Sequence, residues 1–105
     1  MSDPSKPRCG NIDACLQIIG DKWSGLIIRE LTGGAKRFTE LEQTLGIGPR
    51  TLSQRLDNLE AAYILSKHQF AEVPPRVEYA LTPKGEALLP ILRSMASWAS
   101  TYGSH

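Results

Sequence analysis

Long apolar runs are missing from this chain of 105 residues; none approaches the ~20 residues needed to span a bilayer. The start, Met1-Ser2-Asp3-Pro4-Ser5-Lys6-Pro7-Arg8, lacks the apolar h-region of a signal peptide, so a cytoplasmic protein is expected. Cysteine is scarce. Cys9 and Cys15 make neither a disulfide framework nor a four-ligand metal site, and no cofactor is expected. Charge of one sign is lacking too: the formal net charge is +1, so any attraction to a polyanion must be local. There is no nucleophile–base–orienter set, no Gly-rich phosphate loop ahead of a helix and no paired histidines at metal spacing. The expectation is a protein that is not an enzyme.

What is present reads as one ordinary globular domain, 41% hydrophobic and 22% charged, small enough that a partner subunit would help its core. Residues 1–10, with Pro4, Pro7 and Gly10, read as a flexible arm, and 11–102 as the domain. From Asn11, a good N-cap, Ile12, Cys15, Leu16 and Ile19 recur at helical spacing up to Gly20. Asp21 can cap a second helix, with Trp23, Leu26, Ile27 and Leu31 on one side and Glu30 interrupting them, until Gly33-Gly34. After Lys36-Arg37-Phe38, Thr39 and Glu42 have capping-box spacing, Leu41 and Leu45 anchor a short helix, and Gly46 ends it.

A three-residue turn, Gly46-Ile47-Gly48, then delivers Pro49, well suited to the first position of a helix. Leu52, Leu56, Leu59 and Tyr63 form its apolar stripe, which leaves Arg50, Gln54 and Asp57 opposite, flanked by Thr51, Ser53 and Asn58. Two short helices joined by a Gly-containing turn have the helix-turn-helix pattern. Arg matches guanine edges and Gln adenine edges in a DNA major groove, and such helices enter by their N-terminal residues. Pro49, Arg50, Thr51, Ser53, Gln54 and Arg55 are therefore the candidate DNA-reading set, on a recognition helix of about 49–62. Lys36, Arg37 and Thr39 are candidates for holding phosphate near a helix N-terminus. Residues 36–55 have a local excess of only two positive charges.

The period then changes. Leu65 to Phe70 is a plausible strand, and Arg76 to Leu81 alternates cleanly, with Val77, Tyr79 and Leu81 on one face. Ala71-Glu72-Val73-Pro74-Pro75 between them cannot continue a ladder, so the hairpin reads as a wing. The wing spans about 71–76, and its Arg76 should meet the DNA backbone or minor groove. Thr82-Pro83 opens a last helix to about Tyr102, which Pro90 should kink. Leu88, Leu92, Met95, Ala99 and Tyr102 make one stripe, and Ile91 with Trp98 a second beside it. A terminal helix apolar on two faces predicts a two-fold interface, with Ile12, Leu16, Ile91, Met95 and Trp98 as its candidates. The fold class expected is mainly α with a small β-hairpin, an α+β winged helix-turn-helix.

These residues resemble the HxlR-type transcriptional regulators, which are similar to the MarR-type winged helices. The resemblance runs through Ile18-Ile19-Gly20-Asp21-Lys22-Trp23, Arg37-Phe38-Thr39-Glu40-Leu41, Arg50-Thr51-Leu52-Ser53-Gln54-Arg55-Leu56, Val73-Pro74-Pro75-Arg76-Val77-Glu78-Tyr79 and Leu81-Thr82-Pro83. It implies a homodimer on double-stranded DNA, with a pseudo-palindromic operator, and with the first and last helices making the dimer. Three positions depart from the pattern. Tyr63 stands where the family has a left-handed Gly, Gly48 stands where a Ser cap often precedes the recognition helix, and the N-terminal cysteine that some members use as a redox sensor would align with Gly10. Cys9, one residue away and beside Arg8, is the candidate redox thiol, whereas Cys15 lies on a buried stripe. The alternative from another class is a winged helix that binds proteins rather than DNA. The low net charge favours it, and Arg50, Gln54 and the wing arginine argue against it.

Overall fold

The computed structural model describes the backbone of residues 5–103 and the side chains of residues 11–103. Its helices are α1 (Ser5–Ile19), α2 (Ser24–Glu30), α3 (Phe38–Leu45), α4 (Pro49–Ala61), α5 (Pro83–Glu86) and α6 (Leu89–Tyr102). The strands β1 (Lys36–Arg37), β2 (Leu65–Phe70) and β3 (Arg76–Leu81) form one antiparallel sheet in the order β1-β3-β2. This is the expected α+β winged helix, with a third strand the sequence did not announce. At two residues, β1 is too short to show a period of two, and only its pairing of Lys36 with Tyr79 and Arg37 with Glu78 makes it a strand. No helix among the described residues is long and apolar enough to cross a membrane.

α1 begins at Ser5 rather than Asn11, so residues 5–10 of the expected arm are helical. Pro7 permits this because it sits in the first turn, where its missing N–H has no helical acceptor to lose. The Asp21 carboxylate accepts from the Trp23 and Ser24 backbone N–H groups at 2.9 and 3.0 Å, an N-cap function that starts α2 at Ser24. At α3 the capping differs from the Thr39–Glu42 expectation. Glu40 Oε1 accepts from the Arg37 N–H at 2.8 Å, and no reciprocal bond forms because a guanidinium has no acceptor.

The core gathers where α2, α3, α4 and the sheet converge. Ile27, Ile28, Leu41, Leu52, Leu56 and Ile64 are all within 1% of complete burial, and Ile47 in the inter-helix turn joins them. Tyr79 points inward from β3, with Val77 and Leu81 half-buried beside it, as the strand's alternation predicts. Gly46 has φ 67°, the left-handed conformation that lets α3 stop and the chain swing into Pro49.

The end of α4 corrects the expected stripe. Tyr63 is 74% exposed rather than buried, at φ 62°. Its N–H reaches the Glu60 carbonyl and the Ile64 N–H reaches the Leu59 carbonyl, both at 2.9 Å. Those two bonds are a Schellman closure, in which Tyr63 fills the usual glycine place and Ile64 packs back on Leu59. A second correction concerns the last helix. Instead of one kinked helix there are two, α5 and α6, and Pro90 falls in the first turn of α6, where it removes no helical hydrogen bond. Thr82 caps α5 as expected, its Oγ1 accepting from the Gly85 N–H at 3.1 Å.

Candidate nucleic-acid interface

α3, the Gly46–Gly48 turn and α4 form a helix-turn-helix whose second helix is held by its inner leucines. Leu52, Leu56 and Leu59 are at most 2% exposed, and each such burial stabilises by roughly 1.5–3 kcal/mol in gross terms. With that face anchored, Pro49, Arg50, Ser53 and Gln54 stand exposed on the other and Thr51 lies half-buried at its flank. No acidic side chain occupies the first turn of α4, which leaves the positive end of the helix dipole unopposed. Among the described residues, no ion pair engages Arg50 and no side-chain hydrogen bond engages Ser53 or Gln54.

The other expected residues fall into two groups. Arg37 and Thr39 are exposed at the start of α3, where they line, with Arg76 and the wing residues Val73, Pro74 and Pro75, a groove of about 530 Å³. Lys36 is half-buried on β1. Arg55 is not on the outward face. Its Nε lies 3.1 Å from Asp21 Oδ2, near enough for charge pairing yet misaligned for a hydrogen bond. Burial pushes the Asp21 carboxyl up, but the Ser24 hydroxyl, the Trp23 and Ser24 N–H groups and the Arg55 charge together outweigh it and hold the pKa below the ordinary 3.8.

Arg76 is also engaged. Its Nη1 is 3.2 Å from Glu72 Oε2, its Nε is 3.4 Å from Glu78 Oε2, and its guanidinium lies 3.9 Å over the Phe70 ring. Sequence reading missed these partners. Glu72, four residues away, and Glu78, two residues along the same strand and so on the same face, could both be found; only Phe70 comes to Arg76 through strand pairing.

Of the expected interface residues, Ile12, Leu16, Ile91, Met95 and Trp98 are all exposed, from 43% to 67%. Tyr102, read as part of the inner stripe, is exposed too, with its ring 5.8 Å from that of Trp98. Trp23 packs against the core, and Cys15 is half-buried beside it. The Cys9 side chain lies outside the described residues.

A sequence profile described as HxlR-like helix-turn-helix matches residues 18–105. The chain belongs to the HxlR-like family. An uncharacterized HTH-type transcriptional regulator of Methanothermobacter thermautotrophicus is 38% identical over 96 residues, covering 90% of this chain and 73% of that protein. The HTH-type transcriptional regulator YodB of Bacillus subtilis is 36% identical over 95 residues, covering 90% of this chain and 85% of YodB. Among solved structures, the redox regulator HypR in its reduced form aligns with a TM-score of 0.84 at 35% identity, over 90% of this chain and 94% of HypR. This HxlR-like protein is therefore a transcriptional regulator with a helix-turn-helix DNA-binding domain, in agreement with the resemblance read from its motifs.

Proposed function

We propose that this HxlR-like regulator works as a homodimer that reads a pseudo-palindromic operator, with α4 in the major groove and the wing on the backbone or minor groove. The observation that carries the reading is the contrast along α4. Its inner leucines are sealed, while Arg50, Ser53 and Gln54 face solvent at the N-terminal end of the helix, unengaged among the described residues. Arg50 and Gln54 read base edges, Pro49, Thr51 and Ser53 line the approach, and Lys36, Arg37 and Thr39 take phosphates beside them.

Arg76 meets DNA at the wing by exchanging Glu72 and Glu78 for phosphate oxygens, so it neutralises less charge than a free arginine would. The dimer is supported by the exposed Ile12 and Leu16 on α1 and Ile91, Met95 and Trp98 on α6. Two-fold symmetry then places the half-sites about 34–36 Å apart, one helical turn of DNA. A mobility shift with the DNA upstream of its own gene tests the reading. A band that survives excess random duplex is expected, and a band lost to equal competition would overturn sequence-specific recognition.

A further inference from the structure

We propose that Asp21 and Arg55 are a positioning pair that sets the roll of α4 about its own axis, and that Arg55 does not touch DNA. The inference rests on the reading of α4 as the recognition helix. Arg55 follows Gln54 by one residue and so points about 100° around the helix from it. That turn carries it off the outward face and over the α1–α2 junction, where its side chain is 28% exposed and its Nε meets Asp21 at 3.1 Å. It borders a cavity of about 480 Å³ together with Asn58 and Leu59 of α4, and with Leu16, Gln17 and Ser24 from the helices opposite.

Asp21 does two things with one carboxylate. It accepts the Trp23 and Ser24 N–H groups that open α2, and it is the charge partner of the Arg55 guanidinium at 3.1 Å. The capping bonds hold the carboxylate still, so the arginine has a fixed anchor instead of a mobile counter-ion. The buried leucine stripe of α4 decides which face of the helix turns inward, and close packing leaves it only small rotations about its axis. A charge pair on the flank opposes those rotations, and rotation is what would swing Arg50 and Gln54 off their bases. The pair also joins the end of α1, which bears the proposed dimer residue Leu16, to the DNA-reading helix.

Asp21→Asn separates the two tasks, since asparagine keeps a capping acceptor and loses the charge. The measurement is affinity for a duplex selected by the wild-type chain from a random pool and for a scrambled duplex, each over a salt series. Arg55→Ala and Asp21→Asn should each lower the selected-over-scrambled ratio by about tenfold, the worth of one misplaced base contact. Both should leave the scrambled affinity and its salt slope unchanged, and the double variant should be no worse than either single one. If Arg55 holds a phosphate instead, Arg55→Ala flattens the slope by about 0.9 on both duplexes while Asp21→Asn leaves the ratio alone, and the proposal falls. Amide exchange reads the pair without DNA. Faster exchange in α4, equal in both variants, supports the pair, and unchanged exchange in both overturns it. A wild-type chain that prefers no duplex would remove the DNA reading, while the exchange result would still decide on the pair.

Discussion

α4 and α6 have almost the same length, 13 and 14 residues, and both carry an apolar stripe at helical spacing, yet they end in opposite states. α4 buries three leucines to at most 2% exposure, whereas α6 buries no residue and leaves Ile91, Met95, Trp98 and Tyr102 open. The difference lies in what faces each stripe. α4 lies in a junction of helices and sheet, while α6 packs on the rest of the chain through Leu89 and Leu92 of its first turns, and a Cβ on Gly25 of α2 would stand 3.3 Å from the Leu92 methyl. An apolar stripe thus records a demand for a second surface and not where that surface comes from.

The largest effect should come from breaking the satisfied helix. Leu56→Ala should lower stability by about 2–5 kcal/mol in urea unfolding, from lost burial and the cavity left behind. The loss should not depend on protein concentration; a drop below about 1 kcal/mol would remove α4 from the core. Trp98→Ala tests the unsatisfied helix. It should leave the helical signal of the domain intact and weaken self-association by about 2–4 kcal/mol, read by sedimentation across a dilution series. Wild-type chain sedimenting as a monomer at micromolar concentration would break the comparison at its α6 end.

A smaller effect belongs to the outer face of α4. Gln54→Ala should cost about 1–3 kcal/mol on the selected duplex and leave scrambled DNA unaffected; equal losses on both would make the residue a backbone clamp. Arg76→Ala should weaken both duplexes and flatten the salt slope by less than about one unit, because two carboxylates already share its charge. At the closure of α4, Tyr63→Gly should raise stability by about 1 kcal/mol or less, since it relieves the left-handed strain at φ 62° and sacrifices little burial. A fall in the urea midpoint would show instead that the tyrosine ring stabilises that turn.

The smallest expected signal is one of pH. Asp21 has its pKa depressed in the folded chain, so its contribution is present above the unfolded value of 3.8 and is lost as pH falls through the lower folded one. The difference in stability between wild type and Asp21→Asn should therefore shrink on acidification below about pH 4 and hold level above it. A difference that stays constant through that window would mean the carboxylate gains nothing from Arg55 or its caps.

Element types were legible because they follow from local pattern. The leucine spacing of α4, Pro49 at its first position, the alternation of β3 and the Thr82-Pro83 start are each properties of a few neighbouring residues, and the structure has them all. The same holds for the outward direction of Arg50 and Gln54, which the anchored stripe imposes by geometry. Elements too short to repeat their own period escaped, as β1 did, and so did the choice at Pro90 between a kinked helix and a fresh start, since the ring is compatible with either.

What only the tertiary structure decided is which charges are free. By type and position, Arg50, Arg55 and Arg76 look alike as candidate cations. Folding brings Asp21 to one, lays Phe70 under another whose carboxylates Glu72 and Glu78 are near it in sequence, and brings no acidic partner among the described residues to the third. The physical reason is that periodicity reports the environment of a face, averaged over a helix or strand. A pair such as Asp21–Arg55 depends on a few ångströms between side chains far apart in sequence, and that distance exists only once the core has set the elements against one another.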